Sequence, residues 1–166
     1  MGIEIERRFL VKNEDWKDQV ILSENFIQAY LNSSEDEWAT RVRIIDNKKG
    51  YITLKSSLNG LINYEFEYSI PKKDALELIQ LSKYKITKTR YQLKINKKNW
   101  VVDVFEESNS CLKIAEIELN SESEKIQVPS WCGQEITGIK SLSNASLAQT
   151  PISELSIKDR IKTKGS

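Results

Sequence analysis

The sequence predicts an α+β, mainly β fold: eight antiparallel strands forming a barrel or strongly curved sheet, with one long helix packed outside. Three observations carry this. Eight segments alternate apolar and polar residues with the period of two that a strand imposes. The connections between most of them are short and rich in Asn, Gly, Ser and Lys. One longer stretch in the middle of the chain carries the apolar spacing of a helix instead.

The first strand is Gly2 to Val11, where Glu4, Glu6 and Arg8 share one face and Ile3, Ile5, Phe9 and Val11 lie on or near the other. Asn13 then caps a short helical turn through Glu14, Asp15, Trp16 and Lys17, with acids in its first turn. A second strand, Asn25 to Leu31, places Phe26, Gln28 and Tyr30 together, and Asn32-Ser33-Ser34 turns the chain into Trp38 to Ile45, with Arg41 and Arg43 opposite Val42 and Ile44. Asn47-Lys48-Lys49-Gly50 leads to Tyr51 to Ser57, where Thr53 and Lys55 oppose Ile52 and Leu54. After Asn59-Gly60, Ile62 to Ile70 alternates strictly, Glu65 and Glu67 against Tyr64, Phe66 and Tyr68. Pro71 suits the first helical position, and Asp74 to Lys83 reads as the long helix. The strand pattern resumes in Ile86 to Ile95 with Lys88 and Arg90, Trp100 to Phe105 with Asp103, and Leu112 to Leu119 with Glu116 and Glu118. Pro129, Gly133 and Gly138 interrupt the next region, Ser141 to Gln149 reads as a last short helix, and the basic tail beyond Pro151 is expected to be poorly ordered.

At 166 residues the chain is the size of one domain that can bury a real core. With 25 Lys or Arg against 24 Asp or Glu, no global field recruits nucleic acid or an anionic membrane. Cys111 and Cys132 lack metal-type spacing, and there is neither an apolar leader nor a run of 18 apolar residues. A reduced, cytoplasmic, membrane-free setting is therefore expected. Histidine is absent, which excludes Ser-His-Asp and Cys-His catalysis and the usual zinc sites. Any metal must sit on carboxylates, which suit hard ions such as Mg²⁺, Mn²⁺ or Ca²⁺.

The charges on these strands segregate by sign: Glu4 and Glu6, Arg41 and Arg43, Glu65 and Glu67, Lys88 and Arg90, Glu116 and Glu118. Like charges at 4 Å repel by about 1 kcal/mol in water and by more where water is scarce. Five such pairs are costly unless something of opposite charge lies between them, and a ligand is the economical explanation. The barrel would then be inside-out, with apolar residues packing outward and charges lining a wet lumen. Arg8, Arg41, Arg43, Lys55, Lys88 and Arg90 would clamp a chain of phosphates, while Glu4, Glu6, Glu65, Glu67, Asp103, Glu116 and Glu118 would hold divalent cations. Those seven acids would repel a nucleic-acid duplex, so the partner expected is a small molecule, met by a monomer or a homodimer. Aromatic groups that could select a nucleoside are few: Tyr30, Phe26 and Phe105, with Trp38 and Trp100 of undetermined direction near strand ends.

With these motifs in order, the chain resembles the CYTH superfamily, also called triphosphate tunnel metalloenzymes, whose hallmark is Glu-x-Glu-x-Lys on the first strand. Here it stands as Glu4-Ile5-Glu6-Arg7-Arg8, followed by Gln28-Ala29-Tyr30-Leu31, Arg41-Val42-Arg43, Thr53-Leu54-Lys55, Glu65-Phe66-Glu67, Lys88-Thr89-Arg90-Tyr91, Asp103-Val104-Phe105 and Ala115-Glu116-Ile117-Glu118. The resemblance implies an eight-stranded antiparallel tunnel over residues 1–150, with 151–166 as a tail, and Mg²⁺ or Mn²⁺ as cofactor. It further implies hydrolysis of a triphosphate. The opening Glu-Ile-Glu-Arg-Arg-Phe-Leu-Val looks most like short bacterial members that cleave inorganic tripolyphosphate to pyrophosphate and phosphate, with Lys88 as base and Tyr30 orienting the water. The family also contains class IV adenylyl cyclases and thiamine and RNA triphosphatases, and a non-catalytic polyphosphate-binding module is the competing class. Arg8 stands where the hallmark has lysine, and Ser141-Leu142-Ser143-Asn144 lacks a tyrosine that some bacterial relatives carry.

Overall fold

Strict alternation along the chain becomes a closed wall. The computed structural model describes residues 2–162 and contains strands β1 (Gly2–Val11), β2 (Val20–Tyr30), β3 (Ala39–Ile45), β4 (Lys49–Ser57), β5 (Ile62–Ile70), β6 (Tyr84–Ile95), β7 (Lys98–Phe105), β8 (Lys113–Leu119) and β9 (Cys132–Glu135). The helices are α1 (Lys72–Leu81), α2 (Asn144–Gln149) and α3 (Glu154–Lys162), with short 3-10 turns at Asp15–Gln19, Glu107–Asn109 and Lys140–Leu142. Eight strands run in the order β5-β4-β3-β2-β6-β7-β8-β1, and β1 returns to β5 to close an antiparallel barrel.

Closure depends on β1 dividing its length. Gly2 to Ile5 pair with Ile62 to Glu65 of β5, while Ile5 to Leu10 pair with β8 on the other side. Past the β5 contact, the short β9 takes up Phe9 and Val11 of β1. The β6–β7 connection is the two-residue turn Asn96-Lys97, with both φ angles positive, as a hairpin matching the strand twist requires. At the β4–β5 turn, a Cβ on Gly60 would lie 2.9 Å from the Cα of Gly138, so two bare backbones pin this turn to the segment after β9.

The barrel is inside-out, and three apolar clusters lie around it. Under α1, Ala75 and Ile79 bury against Ala29, Val42 and Ile44 on the outer face of β2 and β3. Each large side chain so buried contributes about 1.5–3 kcal/mol. Pro71 caps this helix rather than opening it. A second cluster covers the outer wall of β6, β7, β8 and β1, where Phe9, Leu93, Val102 and Ile117 pack with Trp16, Trp100 and Trp131. Among the described residues no α-helix covers this wall; Trp16 from the first 3-10 turn and Trp131 from the segment before β9 do so instead, Trp131 edge-on to Trp100 at 6.0 Å. Trp100 therefore points outward, as does Trp38, which stacks on Tyr64.

The third cluster seals one end of the barrel. Tyr30, Ile86, Phe105 and Ile114 meet Ile136, Ile139, Leu142, Leu147 and Ile152, all buried, so apolar side chains fill the lumen there. The tail expected to be poorly ordered instead forms α3, whose Ile157 and Ile161 pack on this cluster. Its apolar residues, Ile152, Leu155, Ile157 and Ile161, are sparse, and Ile152, Ile157 and Ile161 reach the cluster; residues 163–166 of that tail lie outside the described residues. The last helical stretch divides into the 3-10 turn at Lys140–Leu142 and α2, which Ser143 caps by accepting from the Ser146 amide. No described helix is long and apolar enough to cross a membrane.

Candidate active site

The inward parity of each strand decides which charges meet. Arg41 and Arg43 on β3 register with Tyr30 and Gln28 on β2, and Lys88 and Arg90 on β6 with Phe26 and Glu24, so the cations gather on one wall. Glu4 and Glu6 on β1, Glu65 and Glu67 on β5, and Glu118 on β8 form the other wall, around an opening of about 260 Å³ lined by Gly2, Ile3, Glu4, Glu65, Glu67 and Glu118. All fourteen residues singled out from the sequence lie on the inward parity of their strands.

Deep in the lumen the opposite charges are locked together. Asp103, fully buried, accepts from Arg90 through both oxygens at 2.7 Å and from the Lys88 ammonium at 2.5 Å. Glu116 accepts from Arg90 at 2.9 Å and from Arg8 at 3.1 Å, and the other arm of Arg8 donates to the Leu142 carbonyl at 3.1 Å. Burial works to raise the Asp103 carboxyl, but Arg90 and Lys88 outweigh it and hold it well below the usual range. Glu116 is also lowered: burial and Asp103 push it up, and Arg90, Arg8 and Lys88 pull it down further. Lys88 is pushed down to about 8 by burial, which Asp103 offsets only in part. Asp103 divides its charge between Lys88 and Arg90, so its pull on Lys88 does not outweigh burial. Glu67 reaches from the acidic wall to the basic one, pairing with Arg43 at 2.9 Å and accepting from the Thr53 hydroxyl at 2.7 Å.

Nearer the opening the balance reverses. Glu4, Glu6 and Glu65 share the single ammonium of Lys55, which bonds Glu4 and lies 3.2 Å from Glu6 and 3.4 Å from Glu65. Three carboxylates on one cation leave negative charge in excess. Burial and the neighbouring Glu6 push the Glu4 carboxyl up to about 7, and Glu118 on the same rim is exposed. On the basic wall the deficit has the other sign: the Nε donors of Arg41 and Arg43 are buried with no hydrogen-bond partner among the described residues. Buried unpaired donors on cations are costly, and an anion would satisfy them.

Tyr30 and Lys88, the two residues expected to act together, have different hydrogen-bond partners in the lumen. The Tyr30 hydroxyl accepts from Gln28 at 2.9 Å, and burial raises its pKa against the pull of nearby Arg41. Lys88 is held by Asp103, and among the described residues no hydrogen bond joins it to Tyr30. Gln28, Thr53 and Asn63, all buried, and Glu24, bonded to Gln92 at 2.9 Å, also line the lumen. The inward parity of Gln28, Thr53 and Asn63 was readable, but their uncharged side chains did not share the segregation of charge that marked their neighbours, and Glu24 lies in the half of β2 that precedes the strand read from the sequence.

Among the described residues no group of three carboxylates or thiols is gathered tightly enough to hold a metal ion as it stands. The donor chemistry nonetheless fits one. The rim offers only carboxylate oxygens, in surplus over cations, and oxygen donors suit Mg²⁺ or Mn²⁺.

Fold and lumen define a class: an antiparallel barrel that receives a compact polyanion on an inner basic wall and keeps an acidic rim beside it. Within that class the chain belongs to the CYTH family, whose domain matches residues 2–150. It is 36% identical over 153 residues to an inorganic triphosphatase of Acetivibrio thermocellus, covering 91% of this chain and 96% of that one. It is 32% identical over 149 residues to an inorganic triphosphatase of Nitrosomonas europaea, covering 87% and 96%. The crystal structure of the inorganic triphosphatase NE1496 superimposes with a TM-score of 0.68 at 29% identity, covering 92% of this chain and 99% of that one.

Proposed function

We propose that this chain is a metal-dependent inorganic triphosphatase that hydrolyses tripolyphosphate to pyrophosphate and phosphate. One observation carries the reading: unpartnered guanidinium donors on Arg41 and Arg43 face a rim where three carboxylates share one lysine. A triphosphate with its cations supplies both missing charges at once. Arg41, Arg43 and Arg90, with Arg8 and Lys55, bind phosphoryl oxygens and orient the terminal phosphorus for in-line attack by water. A bond from the water oxygen to phosphorus forms, the phosphoanhydride bond breaks, and pyrophosphate leaves. Lys88 is the cation on this wall that can exchange a proton near neutral pH, since its Nζ is pushed down to about 8 and an arginine cannot lose its proton. Tyr30 stands opposite Arg41 and accepts from Gln28, which leaves its own O–H free to donate to the water or to a phosphoryl oxygen.

Glu4, Glu6, Glu65 and Glu118 would hold Mg²⁺ or Mn²⁺, which when bound supplies positive charge to the developing phosphate charge. Asp103, Glu116 and Glu67 hold the basic wall through their ion pairs instead. All of these side chains come from one chain, so a monomer or a homodimer serves equally. The free thiols Cys111 and Cys132 support a reducing, cytoplasmic setting.

The test is phosphorus NMR of parallel incubations with tripolyphosphate, ATP and thiamine triphosphate in Mg²⁺ or Mn²⁺, each repeated in excess EDTA. Tripolyphosphate should turn over with the highest kcat/KM, and EDTA should abolish turnover. Cyclic AMP as the main product from ATP, with tripolyphosphate intact, would reassign the chain as a cyclase. Binding of tripolyphosphate without any phosphate release would make it a non-catalytic module.

A further inference from the structure

The lumen contains one side chain that the triphosphatase reading leaves without a task. Phe26, 3% exposed, sits on β2 directly between Ile45 of β3 and Lys88 of β6. Three cations surround its ring: the guanidinium carbons of Arg90 and Arg43 lie 5.2 Å and 5.3 Å from its centroid, and the Lys88 ammonium lies 5.6 Å away. Strand register explains this, because Lys88 is the direct cross-strand partner while Arg43 and Arg90 are the diagonal ones. These cations repel one another, and among the described residues the carboxylates compensate them unevenly: Lys88 shares Asp103 with Arg90, Arg90 also pairs with Glu116, and Arg43 pairs with Glu67. An aromatic ring carries negative potential on its face and attracts a cation that an aliphatic side chain of equal volume would merely touch.

We propose that Phe26 is a positioning residue of the phosphate clamp, its ring gathering the guanidinium groups of Arg43 and Arg90 beside Lys88 against their mutual repulsion. The inference rests on the proposed binding of a triphosphate by this wall. It also sets selectivity, since a ring 3% exposed and already engaged by three cations is not open to stacking by a nucleobase or a thiazolium. Phe26 therefore favours the bare polyphosphate by occupying the place where an aromatic selector would otherwise stand.

The experiment replaces Phe26 with leucine, with tyrosine, and with phenylalanines fluorinated stepwise, which keep the ring's shape while removing its negative face. KM for tripolyphosphate, and its affinity measured calorimetrically without divalent metal, are followed with the melting temperature. Phe26→Leu should raise KM about tenfold, the loss of one to two cation–ring attractions. Phe26→Tyr should restore it to within about twofold, and KM should climb steadily with fluorination at unchanged melting temperature. A KM indifferent to fluorination would overturn the proposal whatever the leucine variant does, including if it fails to fold. A wild-type protein that binds no tripolyphosphate would overturn the triphosphatase reading and this one with it, whereas wild-type binding with no fluorine dependence sinks this one alone.

Discussion

The crowding at the rim predicts that a single isosteric change makes the metal-free protein more stable while disabling it. Glu4 is pushed from its ordinary 4.5 up to about 7, first by burial and then by Glu6, with Lys55 relieving only part of the repulsion. A raised carboxyl pKa means that the folded state holds the proton more tightly than the unfolded chain. Glu4 therefore costs stability in full above pH 7, and the cost fades as pH falls toward 4.5. The interval corresponds to about 3 kcal/mol at about 1.36 kcal/mol per pH unit. Glu4→Gln removes the charge and keeps the shape, so in EDTA at pH 8 it should melt roughly 6–12 °C above wild type, at about 2–4 °C per kcal/mol for a domain of this size. At pH 5 less than about a third of that gain should remain. Scanning calorimetry at the two pH values measures this directly. Saturating Mg²⁺ should raise the wild-type melting temperature by more than that of the variant, and turnover of the variant should fall by orders of magnitude. A variant that melts at or below wild type at pH 8 in EDTA would refute the claim that the rim is held under electrostatic strain.

Further outcomes follow from the same geometry. Lys88 is pushed down from 10.5 to about 8, so wild-type kcat should rise as pH passes through 8, and Lys88→Arg, unable to lose its proton, should abolish that rise; a rise that persists would leave Lys88 as a phosphate clamp alone. Arg8 spans Glu116 and the Leu142 carbonyl, two directions that one ammonium cannot serve with the same fork. Arg8→Lys, which restores the hallmark residue, should cost about 1–2 kcal/mol of stability in calorimetry while KM for tripolyphosphate changes less than about threefold. A Cβ on Gly50 would lie 2.8 Å from the Ala75 Cβ and 3.0 Å from the Ile70 carbonyl oxygen, so Gly50→Ala should push α1 off the barrel and lower stability by about 1–3 kcal/mol in urea titration, with KM unaffected.

The inside-out wall was legible because period two survives inversion: Arg41 and Arg43 announce their face whether it points to water or to a lumen. What alternation cannot carry is which acid meets which base. Lys55 meets Glu65 directly across the β4–β5 hairpin, but it finds Glu4 and Glu6 only because β1 closes onto β5, a pairing between residues some sixty positions apart. Asp103 stands opposite Arg90 across the β6–β7 hairpin and Glu116 opposite Arg8 across β1–β8, and both carboxylates, expected among the metal ligands, form ion pairs there with Arg8, Arg90 and Lys88. The first half of β2 went unread because Ile21 and Leu22 are both exposed and the register shifts between Val20 and Leu22. Cys132-Gly133-Gln134-Glu135 carries no strand pattern at all; β9 exists because Phe9 and Val11 of β1 offer it a free edge. The docking of α3 was hidden for a related reason, since its isoleucines read as isolated until the cluster beneath them is in place.

The apolar seal behind Tyr30, Ile86, Phe105 and Ile114 turns the lumen from a corridor into a cul-de-sac. Whatever enters must back out by the way it came, so pyrophosphate has to withdraw past the acidic rim before the next substrate can advance. Traffic of this kind runs one molecule at a time. A polyphosphate longer than the lumen is deep should therefore be cleaved at its end alone, which phosphorus NMR of the released products would show. The depth between seal and rim then acts as a gauge of chain length, and the residues that set that depth belong to the apolar plug, far from the phosphorus under attack.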